Sequence, residues 1–167
     1  METYTAAYWI DHLQLSSHPE GGYYAEYYRS PLELDAPPHV AQPGKRNICT
    51  GIYFLLQQGQ FSAFHRIASD EIWHFYYGEP LHVLELDQTG KLTNHKLGNQ
   101  PHLGQNLHCV IQAGNWFAAA LGSGSGYSLC GCTVSPGFDF HDFELAKRED
   151  LMNQFPQHFG MIYYLTR

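Results

Sequence analysis

Short apolar runs, each bounded by turn-forming residues, dominate the chain from residue 49 to residue 134. Eight of them have the apolar pattern of strands and follow one another at roughly 8 to 12 residue intervals. They are CTGIYFLL, FSAFHRI, EIWHFYY, PLHVLEL, KLTNHKL, NLHCVI, NWFAAAL and YSLCGCTV. The separators, of which DQTG is the clearest hairpin turn, supply the chain reversals and positive φ angles that hairpins need. The pattern predicts an all-β sandwich or barrel.

The segments before these runs have three different patterns. Apolar residues in segment 5–15 recur at roughly helical spacing, which predicts a short helix that packs against the rest of the protein. Residues 22–28 have the composition of a strand. Residues 30–47 contain four prolines, so they can form neither a regular helix nor a central strand, and we predict a long loop.

The C-terminal tail changes to helix-forming residues. Its sequence, ELAKREDLMNQFPQHFGMIYYLTR, predicts two short helices over about residues 144–165, interrupted at Pro156. No internal repeat marks a solenoid or propeller. We therefore predict a single domain over residues 1–167, with its barrel at about residues 22–140.

Charge and composition exclude several classes of function. The chain has 9 Lys+Arg against 16 Asp+Glu, a net charge of −7, and no basic cluster that could follow a phosphate backbone, so nucleic acid is not an expected partner. We expect a soluble, cytoplasmic protein without a membrane partner, because the chain carries neither a signal-peptide pattern nor a long apolar run. Four cysteines lie within predicted strands, so reduced thiols are expected. The 15% aromatic content favours broad pleated surfaces and a large pocket or interface.

One constellation of polar residues interrupts the apolar runs. Gly59 is followed after five residues by His65-Arg66-Ile67, after three more by Glu71, and after six more by Gly78. Residues two apart on a strand project from the same face, so positions 65 and 67 point into the barrel, and Glu71 enters from the next strand. This spacing resembles the first motif of the cupin superfamily.

The resemblance to metal-binding cupins implies four ligands, of which this chain keeps two. Ile67 replaces the second histidine of the first motif, and in the stretch that resembles the second motif Phe117 replaces the last histidine. Zinc and iron sites normally need at least three protein ligands, so we expect the inherited metal site to be lost and assign no cofactor. A divalent metal held by His65, Glu71 and His74 stays an alternative. It would require a bulge, because alternation from Glu71 points Trp73, Phe75 and Tyr77 inward and His74 outward.

The chain also resembles one particular group, the cupin-5 or DUF985 family. The stretches that carry this resemblance are HPEGGYYAEYYRS (18–30), GIYFLL (51–56), FSAFHRIASDEIWHFYYGEPL (61–81), VIQAGNWFAA (110–119) and GCTVSPGFDFHDFELA (131–146). It implies a double-stranded β-helix, the cupin jelly roll, with short N- and C-terminal helices. It also implies a homodimer and structural kinship with sugar-nucleotide epimerases of the RmlC type, but no known reaction.

The candidate catalytic residues are His65, as a general base, and Glu71, as the carboxylate that orients it. Four aromatic residues are candidates for a substrate pocket, although they could equally fill the core. They are Trp73, Phe75, Trp116 and Phe117.

Three further acidic residues have a structural and a chemical interpretation. Glu20, followed by Gly21 and Gly22, could place a carboxylate at the barrel mouth, but a simple turn is the favoured interpretation. Asp139 and Asp142 could supply an acid near the opening, but capping is the commoner use of such residues.

Three functions follow from these residues. The leading hypothesis is an isomerase- or epimerase-like enzyme that binds a small polar metabolite, with a sugar or nucleotide-sugar as the first candidate by analogy of fold. The second is a metal-dependent, dioxygenase-like cupin. The third is a ligand-binding dimer without catalysis.

Overall fold

The computed structural model describes residues 4–36, 44–122 and 126–167. The strands in these residues are β1 (Ser16–Ser17), β2 (Tyr23–Arg29), β3 (Glu33–Asp35), β4 (Lys45–Asn47), β5 (Thr50–Gln57), β6 (Phe61–Arg66), β7 (Asp70–Gly78), β8 (Leu81–Leu86), β9 (Leu92–Leu97), β10 (His108–Ile111), β11 (Trp116–Leu121), β12 (Tyr127–Ser135) and β13 (Glu144–Leu145). One sheet has six strands in the order β1-β2-β5-β12-β7-β10, and a second has five in the order β13-β6-β11-β8-β9. The strands of both sheets pair antiparallel, as in a jelly roll.

The eight predicted strands are confirmed as β5 to β12, and the DQTG turn joins β8 to β9 as predicted. Asp87 holds this turn, since its side chain accepts hydrogen bonds from the backbone N–H groups of Thr89 and Lys91 at 2.8 and 3.0 Å. Gly90 takes a φ of 84°, which glycine adopts without strain. Local turn chemistry therefore suffices to define this hairpin.

The core lies between the two sheets, where alternate side chains of each strand meet. Full burial of each large apolar side chain stabilises the fold by about 1.5–3 kcal/mol. The six-stranded sheet contributes Phe54, Leu56, Trp73, Phe75, Cys109, Ile111, Cys130, Cys132 and Val134. The opposite side contributes Ile67, Leu81, Val83, Leu97, Phe117 and Ala119.

The short helices cover the outer faces of the sheets. Helix α1 (Ala6–His12) packs on the six-stranded sheet, while α2 (Arg148–Gln154) and α3 (Phe159–Tyr164) cover outward residues of the five-stranded sheet. Pro156 begins the 3-10 turn between α2 and α3, at the predicted interruption. Within the described ranges, no helix is long and apolar enough to cross a bilayer.

The segments that flank the barrel differ from their predictions in two places. The predicted loop over residues 30–47 contains the two-stranded pair β3-β4, and its residues 37–43 lie outside the described residues. Glu144 and Leu145 extend the five-stranded sheet as β13 rather than starting a helix, because they pair with β6. Residues 123–125 of the predicted GSGSG turn also lie outside the described residues.

A β-bulge in β7 breaks the strict alternation expected from Glu71. Phe75 pairs with Cys130 and Tyr77 with Leu129, so Tyr76 is an extra residue in this strand. Tyr77 consequently lies on the outer face, against Trp9 of α1, and the prediction that it points inward is wrong.

Candidate functional site

A cavity of about 300 Å³ lies inside the barrel. Strands β2, β5, β6, β7 and β12 form its walls together with the turn before β2 and a segment that follows β12. We name this the phenylalanine segment, residues 138–143. The cavity is lined by His18, Glu20, Tyr24, Glu26, Arg29, Thr50, Ile52, Phe54, His65, Ile67, Glu71, Cys132, Val134, Phe138, Phe140 and Phe143. His65 and Glu71, which the sequence predicted as catalytic, both lie in this wall.

His65 is fully enclosed and forms a hydrogen bond through each ring nitrogen. Its Nδ1 lies 2.7 Å from the carbonyl oxygen of Ala63, which can only accept, so Nδ1 carries a proton. Its Nε2 lies 3.0 Å from Oε2 of Glu20, and both side chains are at most 6% exposed. His65 therefore has no free lone pair as long as it remains protonated and paired with Glu20.

The Glu20–His65 pair is held in its charged form. Burial acts to lower the pKa of His65, but the carboxylate of Glu20 outweighs it, and the pKa of His65 is raised. Burial acts to raise the pKa of Glu20, yet the charge and hydrogen bond of His65, with a 2.9 Å bond from the Ser62 hydroxyl, lower it. At neutral pH we expect an imidazolium facing a carboxylate.

Glu71 has the opposite electrostatic environment. Burial raises its pKa to about 7, against a partial lowering by His65 and a further raising by the charge of Glu20. The thiol of Cys132 forms a hydrogen bond with Glu71, and burial keeps the pKa of that thiol well above its ordinary value. A pKa of about 7 means that Glu71 is present in both its protonated and its ionised form near neutral pH.

His18 lies beside this pair as a neutral imidazole. Burial lowers its pKa, and its Nδ1 accepts a hydrogen bond from the backbone N–H of Glu20 at 3.3 Å. The 3.5 Å approach of the same nitrogen to Oε2 of Glu20 is therefore not an ion pair. The ring packs edge-on against Tyr24, with centroids 4.5 Å apart.

Two glycines allow the chain to bring Glu20 into the barrel. Gly21 and Gly22 have φ angles of 117° and 73°, and a Cβ on Gly21 would overlap the carbonyl oxygen of Phe61. The carbonyl of Glu20 accepts from the N–H of Ala63 at 2.8 Å, which fixes the turn against β6. The turn predicted here is present. The less favoured interpretation concerned the carboxylate of Glu20, and this carboxylate is buried in the cavity wall.

The phenylalanine segment closes the cavity and is held in place by polar contacts. The N–H of Phe138 donates to Oγ1 of Thr50 at 2.9 Å, and the guanidinium of Arg29 donates to the carbonyl of Phe138 at 3.2 Å. Asp142 forms a buried, two-pronged ion pair with Arg46 at 2.7 and 2.8 Å. Asp139 caps the short turn that follows it, accepting from the N–H of His141, so these two acids do not face the cavity.

The four aromatic residues predicted for a substrate pocket do not line this cavity. Trp73, Phe75 and Phe117 are buried in the core between the sheets. Phe117 packs on His65 with ring centroids 4.0 Å apart, so it supports the site from behind. Trp116 faces the opposite way, under the C-terminal helices and the guanidinium of Arg66, because neighbouring residues of a strand point to opposite faces.

The side chains around His65 do not fit the metal site that the resemblance to metal-binding cupins implies. Ile67 and Phe117 occupy two ligand positions, and Nε2 of His65 is bonded to Glu20. His74 lies on the outer face, bonded to Thr133 at 3.1 Å, because the bulge follows it at Tyr76 and leaves its own orientation unchanged. In residues 4–36, 44–122 and 126–167, no three His, Cys, Asp or Glu side chains are grouped to hold a metal ion.

Sequence reasoning missed several residues of the cavity wall. His18, Tyr24 and Arg29 were not proposed as site residues, and neither were the rings of the phenylalanine segment. Two signals were available, since HPEGGYYAEYYRS and GFDFHDFEL both stand out in the chain. Both stretches include turn-rich parts of the chain, and binding and catalytic residues lie disproportionately often on loops.

Two antiparallel sheets of six and five strands that pack on each other around a cavity define a double-stranded β-helix of the cupin kind. The chain belongs to the family described as "Cupin superfamily (DUF985)", whose model matches residues 7–146.

The relatives of this chain include proteins from three distant organisms. It is 30% identical to the uncharacterized protein YML079W of Saccharomyces cerevisiae, over 84% of this chain and 75% of that protein. A hypothetical protein from Leishmania major superposes with a TM-score of 0.90 at 33% identity, covering 98% of this chain and 99% of that one. Protein SO0799 from Shewanella oneidensis superposes with a TM-score of 0.89 at 37% identity, covering 99% of both chains.

Proposed function

We propose that this protein binds a small carbonyl-containing metabolite in the cavity and catalyses proton transfer at the carbon next to the carbonyl, as an isomerase or epimerase does. The observation that carries the proposal is that one cavity wall holds His65, paired with Glu20 at 3.0 Å, and a second buried carboxyl group, Glu71, whose pKa is shifted in the opposite direction to that of Glu20. Pairs of titratable groups separated in this way are typical of acid–base sites.

Glu71 is the proposed base. A pKa of about 7 leaves a substantial carboxylate fraction at neutral pH and makes the group basic enough to accept a proton from carbon. In the proposed step Glu71 takes the proton, the C–H electron pair becomes a C=C bond, and the carbonyl π electrons move onto oxygen. Return of the proton to carbon re-forms the carbonyl, so the reaction needs no other reactant.

His65 is the proposed source of electrostatic stabilisation rather than the base. Its hydrogen bonds to Ala63 and Glu20 leave it no lone pair for a substrate proton while it stays protonated. Its positive charge faces a poorly solvated cavity, where it stabilises the negative charge that develops on the carbonyl oxygen. Glu20 acts through His65, by holding the imidazolium in position.

The test is deuterium incorporation from D₂O into a panel of small carbonyl metabolites, followed by mass spectrometry. We expect the native protein to catalyse exchange in at least one compound, and Glu71→Gln to lose about 100-fold or more of that rate. Glu144→Gln is the matched control, because Glu144 is an exposed carboxylate paired with Arg66 outside the cavity wall. The control should exchange at the native rate.

The pH profile gives a second readout for the same proposal. The rate constant kcat/KM should rise through about pH 7 as Glu71 ionises, and this limb should disappear in Glu71→Gln. Exchange that is as fast in Glu71→Gln as in the native protein would overturn the proposal. Absence of exchange across the panel would do the same and favour a ligand-binding protein without catalysis.

A further inference from the structure

The aromatic side chains of the cavity wall indicate which chemical class of ligand would fit beside Glu71 and His65. Three rings of the phenylalanine segment, Phe138, Phe140 and Phe143, contact one another with centroid separations of 4.9 to 6.3 Å. The ring of Phe143 continues this surface to His65 at 5.4 Å, and His18 packs against Phe140 and Phe143. An uninterrupted aromatic surface therefore runs from Phe140, which is 53% exposed, to the buried ring of His65.

Most polar groups of the same wall already bond to protein partners. Glu26 and Arg29 pair with each other through two hydrogen bonds of 2.9 and 2.7 Å. The carboxylate of Glu20 is bonded to His65 and Ser62, and the hydroxyl of Thr50 accepts from the phenylalanine segment. A ligand with many hydroxyl groups would lose its hydrogen bonds to water here and find few replacements, which disfavours a sugar.

The charges of the wall are also balanced internally. Glu26 offsets Arg29, Glu20 offsets His65, and His18 is neutral. Glu71 adds at most one negative charge, and it accepts protons near neutral pH. A strongly anionic ligand such as a nucleotide would meet no unpaired cation in this described part of the wall, so a neutral ligand is favoured.

We propose that the ligand is a neutral, planar ring compound with one carbonyl group, whose ring lies against Phe138, Phe140 and Phe143 and whose carbonyl end reaches Glu71 and His65. This inference rests on the proposed function, since it assigns a substrate class to the same cavity. A volume of about 300 Å³ accommodates one or two fused rings and is at the small end of ligand sites. The sugar suggested by analogy of fold is replaced by a largely apolar compound.

The test compares two neutral probes with equal numbers of non-hydrogen atoms, 2-indanone and D-xylose, by titration calorimetry and by ligand-observed NMR. We expect 2-indanone to bind and D-xylose to bind at least about tenfold more weakly. Equal or tighter binding of D-xylose would overturn the assignment. So would the absence of 2-indanone binding at millimolar concentration.

A matched pair of variants locates the binding. Phe140→Ala removes an exposed ring of the aromatic surface, and Phe159→Ala removes a ring of similar exposure, 57%, on α3. We expect Phe140→Ala to weaken 2-indanone binding about five- to tenfold, and Phe159→Ala to leave it unchanged. Equal effects of the two variants would contradict a site on the phenylalanine segment.

Deuterium exchange in the bound probe separates this inference from the proposed function. The α-carbons of 2-indanone report proton transfer in the same samples that report binding. Binding of 2-indanone with no exchange faster than the uncatalysed rate would support the ring class of ligand while counting against proton transfer. Exchange of a sugar carbonyl compound without 2-indanone binding would support proton transfer and overturn the ring class.

Discussion

Replacing Glu71 with glutamine should make the protein more stable at alkaline pH. Glu71 is 7% exposed, and burial beside the carboxylate of Glu20 raises its pKa from 4.5 to about 7. Glutamine has nearly the same shape and can still accept the hydrogen bond of the Cys132 thiol. The substitution therefore removes the ionisable group with little change in packing.

The size and pH range of the effect follow from the two pKa values. A group whose folded pKa is raised binds its proton more tightly in the folded state, so its contribution is fully present below the unfolded pKa and is lost as pH rises through the folded one. For Glu71 the loss occurs between about pH 4.5 and pH 7 and amounts to about 3 kcal/mol. Glu71→Gln does not undergo this loss.

Urea unfolding at several pH values measures the effect directly. We expect the native protein and Glu71→Gln to have similar free energies of unfolding near pH 4 to 5, and the variant to be more stable by about 3 kcal/mol near pH 8. Glu144→Gln, an exposed change of the same chemistry, should shift stability by less than about 1 kcal/mol at both ends. A difference between native protein and Glu71→Gln that does not change with pH would refute the assignment of a raised pKa to Glu71.

Two further predictions concern Glu20 and the turn that positions it. Glu20→Gln should lower the pKa of His65 below 6.5, because burial then outweighs the remaining favourable charges. An NMR titration of the imidazole nitrogens measures this pKa. A pKa still above 6.5 would show that Glu20 does not hold the imidazolium. Gly21→Ala should destabilise the fold by about 3 kcal/mol, since its positive φ and the carbonyl of Phe61 both oppose a side chain. Gly59 also has a positive φ, 83°, but a Cβ there would meet no atom within 4 Å, so Gly59→Ala should cost only about 1 kcal/mol. Equal losses for the two variants in denaturant unfolding would contradict the steric argument.

The sequence predicts part of the site because the side chains of a strand alternate between its two faces. His65 lies on the inner face of β6 and Glu71 at the start of β7, so both were expected inside the barrel, and both line the cavity. Alternation fails where β7 bulges at Tyr76, which turns Tyr77 outward. A bulge depends on the partner strand, and the pattern of one strand alone does not reveal it.

The roles within the site depend on partners that are distant in the sequence. The motif suggested Glu71 as the carboxylate that orients His65, whereas the contact at 3.0 Å comes from Glu20. No periodicity predicts this contact, because it is made by a turn before β2 that lies against β6. The aromatic lining of the cavity has the same origin, since the phenylalanine segment is held in place by the ion pair of Asp142 with Arg46, which is distant in the sequence.

The sequence pattern by itself determined an all-β fold, the eight strands from β5 to β12, the DQTG hairpin and the short helices at both ends. These depend on local periodicity and turn chemistry, which each segment carries within itself. The tertiary structure decided which carboxylate pairs with His65, why Glu71 has a raised pKa, and which aromatic rings face the cavity rather than the core. Those properties arise from burial and from contacts between distant segments, and both exist only once the two sheets have closed on each other.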